Sequence, residues 1–147
     1  MLDIAVYDWI IEKLYEPSQK PLVDAFCSKN GNNSQCVFHV SNDIDALSID
    51  WDAEFKDITL WCNPVYTRDF ISAMLFKLGQ TTRTKALLII PSWFDEDQGE
   101  IRDHLMDRRF THLHRFEVDT PLFSRREKGC SDGERVLYPS IWGVDVF

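Results

Sequence analysis

"DITLWCNPVYTRDFISAMLFKLGQTTRTKALLII", Asp57 to Ile90, decides how the rest of the chain must fold. Its last six residues, Lys85 to Ile90, are almost continuously apolar, as strands covered on both faces of a parallel sheet are. Its first six, Asp57 to Cys62, read as another strand. Between them Phe70, Ile71, Met74, Leu75 and Leu78 recur at helical spacing. Thr67 is the expected N-cap and Gly79 the expected end of that helix. Strand, helix and strand in this order make a crossover between parallel strands.

The same alternation extends outward. Residues 3 to 15 predict a helix capped by Asp3, with an apolar face through Val6, Ile10 and Leu14 and Pro17 beyond its end. "PLVDAF" (Pro21 to Phe26) predicts a short buried strand, followed by the turn-rich loop "CSKNGNNSQ" and a second strand, "CVFHV" (Cys36 to Val40). "EIRDHLMDRRF" (Glu100 to Phe110) predicts a helix, "HLHRFEV" a strand, and "RVLYPSIWGVDVF" a last strand or hairpin. The expected architecture is α/β: a mainly parallel sheet with helices on both faces and a C-terminal antiparallel strand or hairpin. No repeat or long linker divides the 147 residues, so one domain is expected.

Composition narrows the function. A content of 44% hydrophobic and 13% aromatic residues excludes disorder. The first residues carry Asp3, Asp8, Glu12 and Lys13, unlike a signal-peptide core or a membrane span, so an intracellular protein without a membrane partner is expected. The net charge of -8 opposes an autonomous nucleic-acid binder, yet residues 1 to 100 hold 8 basic and 16 acidic residues while 101 to 147 hold 8 of each. Cys27, Cys36, Cys62 and Cys130 lack metal-ligand spacing and are expected as free thiols; no metal is expected.

Ligands of such sheets sit beyond the carboxyl ends of the strands. Asp24 to Cys27, Asp50 with Trp51, Asn63 to Tyr66 and Pro91 to Trp93 are all expected near that edge. Asn63, Pro64 and Tyr66 form a set with a defined chemistry. The Asn63 side-chain oxygen and the Pro64 carbonyl can accept hydrogen bonds from an exocyclic amine, and Tyr66 can stack on a base plane. Read structurally instead, Pro64 ends a strand, Thr67 caps a helix and Tyr66 fills a core gap.

"PLVDAFCSKNGNNSQCVFHVSNDIDALSIDW" followed by "LWCNPVY", with Pro91-Ser92-Trp93 after the next strand, resembles the small phage-type, Dam-like DNA N6-adenine methyltransferases. It is equally similar to the methyltransferase-like domain of DIRS-type retroelements. The resemblance covers about residues 6 to 95. It implies a Rossmann-like methyltransferase fold, S-adenosylmethionine as cofactor, DNA as partner, and a phage or mobile-element setting in host cytoplasm or nucleus. It makes Asn63, Pro64 and Tyr66 the catalytic amine pocket, and Asp24, Phe26, Cys27 and Asp50 the cofactor contacts. The chain departs from the family in two places: Val65 stands where a second proline is usual, and no glycine follows the first strand before Gly31. These departures, with a short chain that leaves target recognition to a homodimer or partner protein, suit a second reading: a non-catalytic methyltransferase-fold module that binds protein or nucleic acid. The pocket chemistry also leaves cytosine N4 or a protein amide open as targets.

Other polar groups have plainer explanations. His112 and His114 share a strand face and are read as solvent-facing neighbours of Arg108, Arg109 and Arg115 rather than as a metal pair with His104 or Asp107. Arg125, Arg126 and Lys128 extend a basic group that can meet phosphates or form a solvated surface. The acids of "FDEDQGE" (Phe94 to Glu100) suit the opening of a helix.

Overall fold

A computed structural model of the chain describes residues 2–15, 19–28, 31, 34–41, 43–92, 99–106, 109–125, 136–140 and 143–147. Pro17, Trp93, the acids from Asp95 to Asp97, Asp107, Arg108, Arg126, Lys128 and Cys130 lie outside them, so the expectations resting on those residues have no structural counterpart here.

Helix α1 (Ile4–Leu14) begins as expected: the Asp3 carboxylate accepts the Ala5 amide at 3.0 Å and satisfies one orphan donor of the first turn. It buries Tyr7, Ile10 and Ile11, a face rotated slightly from the expected one, with Val6 and Leu14 at its margins. Strands β1 (Val23–Cys27), β2 (Phe38–Ser41), β3 (Thr59–Cys62) and β4 (Lys85–Pro91) are mutually parallel. Helix α3 (Arg68–Gln80) makes the β3–β4 crossover and buries Ile71, Met74, Leu75 and Leu78.

Two details of that crossover differ from expectation. Thr67 occupies the N-cap position without a side-chain cap bond. Gly79 lies inside the helix, and Thr81 ends it, its amide and hydroxyl both donating to the Leu78 carbonyl. Gly79 serves packing instead: Arg109 donates to its carbonyl, and a Cβ there would stand 3.4 Å from the guanidinium.

The sheet order is β2-β1-β3-β4-β8-β5, with β5 (His114–Phe116) at one edge and β8 (Val144–Val146) antiparallel to both of its neighbours. This mixed α/β sheet, mostly parallel with one reversed C-terminal strand, is consistent with the Rossmann-like methyltransferase fold. Alternate residues of β4 feed two cores: Leu88 and Ile90 face α3 and helix α4 (Glu100–Leu105), while Leu87 and Ile89 face α1. Burial on both faces explains the unbroken apolar run.

Three further features depart from expectation. Helix α4 stops at Leu105, and Phe110 packs on the α3-side core from outside it. The terminal segment splits between two sheets: β7 (Val136–Pro139) pairs with β6 (Pro121–Arg125) in a two-stranded ribbon, and β8 enters the main sheet. A one-turn helix, α2 (Trp51–Glu54), precedes β3 and buries Trp51.

His112 is more than a solvent-facing neighbour. Its ring nitrogen lies 2.7 Å from the Asp145 carboxylate, which is fully buried on β8 and also accepts Arg115 Nε at 2.8 Å and Nη2 at 3.1 Å. A charge placed in a central strand is tolerated because cationic and ring donors reach it from β5 and the segment before it. His114 packs its ring against Trp9 and Phe116, at centroid distances of 5.0 and 4.7 Å.

Candidate active-site crevice

The chain leaves β1 for β2 on one side and returns to β3 on the other, so the switch point of the sheet lies between β1 and β3. Crevices at such points hold ligands because the crossover connections diverge there. Phe26 and Cys27 end β1, Asp24 lies second in the strand, and Asn63, Pro64 and Tyr66 follow β3; the ends of the two strands flank this point.

Asp24 pairs in register with Trp61, whose ring stands edge-on to Tyr7 at 4.7 Å, so its carboxyl lies on the α1 face of the sheet. It is 3% exposed, and Oδ1 accepts the Phe26 amide at 3.0 Å. Burial pushes its pKa up to about 6, against the opposing pull of that amide, the Ser34 hydroxyl and the nearby His39. The Tyr7 hydroxyl is buried beside the Cys36 thiol, and burial, then Cys36, raises its pKa. Burial, then the Asp24 charge, pushes the Cys36 thiol up to about 12, and burial holds Cys62 well above the ordinary thiol range. Cys27, Cys36 and Cys62 form no disulfide, and the last two stay protonated at neutral pH.

The β1–β2 loop folds back on itself. Gly31 takes φ of +69°, and a Cβ there would stand 2.7 Å from the His39 ring. Its amide donates to Ser28 and its carbonyl accepts from Ser34. Here the loop glycine serves contact between loop and β2, and Ser34 is brought to Asp24. Phe26 turns to the other face and packs against Phe70 of α3 at 5.2 Å and Trp51 at 6.2 Å.

At the end of β3, the Tyr66 hydroxyl donates to Asn63 Oδ1 at 3.2 Å. The Tyr66 ring meets Phe123 of β6 edge-on at 6.2 Å, and burial raises the phenol pKa. The β6 strand is tied down beside α1, where Asp3 donates to the Leu122 carbonyl and Leu2 bridges Phe123. Asn63 and Tyr66 are therefore brought together, and the ribbon sets Phe123 against the Tyr66 ring.

Asp50 is not part of this group. It caps α2, accepting the Ala53 amide at 3.2 Å, and is exposed beside Lys77, Gln80 and Thr81 at the far end of α3. Its neighbour Asp52 accepts the amides of Thr82, Arg83 and Thr84. That loop precedes β4, so Asp50 and Asp52 lie at the amino edge of the sheet, opposite the crevice. The expected position near the carboxyl ends is corrected, because α2 immediately precedes β3 and must lie at its start. The acid that does follow the carboxyl end of β2 is Asp43, in the turn after Ser41; its place was legible only with the β2 boundary in hand.

Among the described residues no three His, Cys, Asp or Glu side chains converge to hold a metal ion, and no helix is long and apolar enough to cross a membrane. Comparison of the chain with protein-family models, with curated proteins and with solved structures finds no match.

Proposed function

We propose that the chain is an S-adenosylmethionine-dependent methyltransferase acting on adenine N6 in DNA. The observation carrying this reading is the flanking of the β1–β3 switch point by Asp24 to Cys27 on one side and Asn63 to Tyr66 on the other. The donor set suits the cofactor. A carboxyl group buried within β1, with the Tyr7 hydroxyl near it, matches a ligand that brings a cationic amine and hydrogen-bonding groups. Asp24 takes the amine, and Asp43 after β2 takes the cofactor contact that the resemblance gave to Asp50. When bound, the cofactor supplies an electrophilic methyl group on a sulfonium.

The remaining work belongs to the chain. Asn63 Oδ1 and the Pro64 carbonyl accept the two amine hydrogens of the target base and orient its lone pair; Tyr66 stacks on the base. Alignment of this kind, rather than a strong base, supplies the acceleration for a single displacement. Tyr66 must first release Asn63 Oδ1, so the base enters by replacing the phenol hydroxyl as the partner of Asn63. The test is transfer of labelled methyl groups to adenine-containing duplex DNA. Asn63→Ala is expected to lose at least about a hundredfold in rate while still binding cofactor; full activity in that variant would remove Asn63 from the chemistry.

A second reading has its own support. With Asn63 Oδ1 held by Tyr66, Tyr66 against Phe123, and no glycine at the end of β1, the same fold serves as a non-catalytic module that binds a protein or nucleic acid. Cofactor binding separates the two, since the module has no need of it.

A further inference from the structure

We infer that the cavity at the amino edge of the sheet, between the starts of β1, β3 and β4, binds a short chain of linked phosphates. The inference stands apart from the proposed methyltransferase activity. The cavity has a volume of about 400 Å³, within the range of small-molecule sites, and Lys20, Arg83 and Lys85 all line it. It lies at the end of β4 remote from the crevice, about 20 Å away by the rise of a seven-residue strand.

Paired backbone forms its frame. The Leu22 amide donates to the Thr59 carbonyl at 3.2 Å, the Asp57 amide to Arg83 at 3.0 Å and the Lys85 amide to Ile58 at 3.3 Å. Recognition therefore falls to the side chains. Three of these are cations, and among the described residues Asp57 is the one acid in the lining, so positive charge is in excess by two. In a chain of net charge -8, a local excess of the opposite sign selects an anion.

Each cation is held by a contact that leaves it donors to offer. Arg83 gives Nη2 to the Asp57 carboxylate at 3.1 Å, and its other guanidinium donors remain for a ligand. Asp57 takes φ of +61°, a left-handed conformation that aspartate tolerates, and this sets its amide on the Arg83 carbonyl and its carboxylate on the Arg83 side chain together. Lys85 Nζ reaches the neutral Gln19 side-chain oxygen at 3.4 Å, a long bond for an ammonium. Lys20 holds its ammonium 5.3 Å from the centre of the Tyr7 ring, a contact with a π face that leaves the charge in place.

The spread of the cations sets the shape of the anion. Lys20 precedes β1, whereas Arg83 and Lys85 belong to the start of β4, and β3 runs between them. Two strand spacings, about 10 Å, therefore separate the two sides. Lysine stems close part of that span, and an anion charged along its length closes the rest better than a single phosphate. Among the described residues no aromatic side chain lines the cavity, so it offers a nucleotide base no stacking surface. The phosphate chain itself is the ligand that fits, free or as part of a nucleotide.

The test is calorimetric titration of the full chain with inorganic triphosphate, and separately with orthophosphate, with adenosine triphosphate and with a short DNA duplex, at matched ionic strength. Triphosphate is expected to saturate with a Kd below about 1 mM, and orthophosphate to bind at least about tenfold more weakly. Adenosine triphosphate should match inorganic triphosphate within about threefold, because the chain of phosphates is what is bound. Lys20 and Lys85 are exposed, so Lys20→Gln and Lys85→Gln should fold normally and each weaken binding about fivefold. Arg102→Gln removes an equally exposed cation from α4, on the α3 side of the sheet, and should leave binding unchanged. No saturation by about 5 mM, unchanged binding in either lysine variant, an equal loss in Arg102→Gln, a preference of about tenfold or more for adenosine triphosphate, or displacement of triphosphate by the duplex at equal phosphate concentration would each overturn the assignment.

Discussion

Replacing Asp24 by Asn should stabilise the protein above pH 7 and do almost nothing below pH 4. Asp24 is 3% exposed, and burial raises its pKa from 3.8 to about 6. The native state thus binds this proton more tightly than the unfolded chain. Its contribution to stability is fully present below pH 3.8 and is lost as pH rises through about 6. The distance between those values, at about 1.36 kcal/mol per pH unit, amounts to about 3 kcal/mol by pH 8 and about half of that at pH 5. Asparagine has no charge to bury and keeps an Oδ1 for the Phe26 amide, so it escapes the cost and retains the bond. Urea unfolding of both proteins between pH 4 and 8 reads the difference, since titrating groups that do not interact with Asp24 cancel and His39 acts only through its coupling to this charge. A stability difference that stays constant with pH, or that turns against the variant as pH rises, would refute the reasoning. The role proposed for Asp24 at the cofactor amine would account for a carboxylate kept at such a cost.

Other perturbations have equally definite outcomes. Arg115→Ala leaves the fully buried Asp145 carboxylate with His112 alone and should cost about 3 kcal/mol in denaturant unfolding; a loss below about 0.5 kcal/mol would mean that Asp145 is stabilised from elsewhere. The amides of Thr82 and Arg83, ahead of other donors, lower the Asp52 pKa to about 2, so its stabilising effect is present above pH 3.8 and lost as pH falls through about 2. Carboxyl chemical shifts followed on acidification should show Asp52 among the last to protonate, and Asp52→Ala should lower the melting temperature at neutral pH but not at pH 2. Tyr66→Phe keeps the stacking ring and frees Asn63 Oδ1 from its hydroxyl. Losing that competitor, worth about 1 kcal/mol, should lower KM for DNA about fivefold with little change in kcat; a large fall in kcat would instead place the hydroxyl in the transfer step.

The fold was readable where a residue's burial on both faces leaves a strong pattern. The apolar run of β4, the helical spacing of α3 and the Asp3 cap of α1 all depend on local rules. Where long-range pairing decides, sequence was silent. "PLFSR" carries no alternation that sets it apart, and it becomes β6 only because β7 and the Leu2 bridge hold it. The segment from 135 to 147 divides between two sheets because Val144 and Val146 fit the α1-side core while Asp145 finds Arg115, a partner visible only in three dimensions. The site shows the same limit. The ends of β1 and β3 followed from the strands themselves. Asp50 was misplaced because the one-turn helix α2 was not read, and the edge on which a residue lies follows from its element's place before or after a strand. The bond between Tyr66 and Asn63 and the contact with Phe123 join segments far apart in sequence or turn on a side-chain rotamer, and no pattern announces either.

The central claim is that the crevice between β1 and β3 holds S-adenosylmethionine, and calorimetric titration of the chain with S-adenosylmethionine and with its demethylated product, repeated on Asp24→Ala, tests it most directly. The account predicts binding near about 10 µM for the native chain and a loss of at least about tenfold in the variant. Absence of binding at about 1 mM ligand, in a protein shown to be folded, would contradict it and leave the non-catalytic module as the reading of this fold.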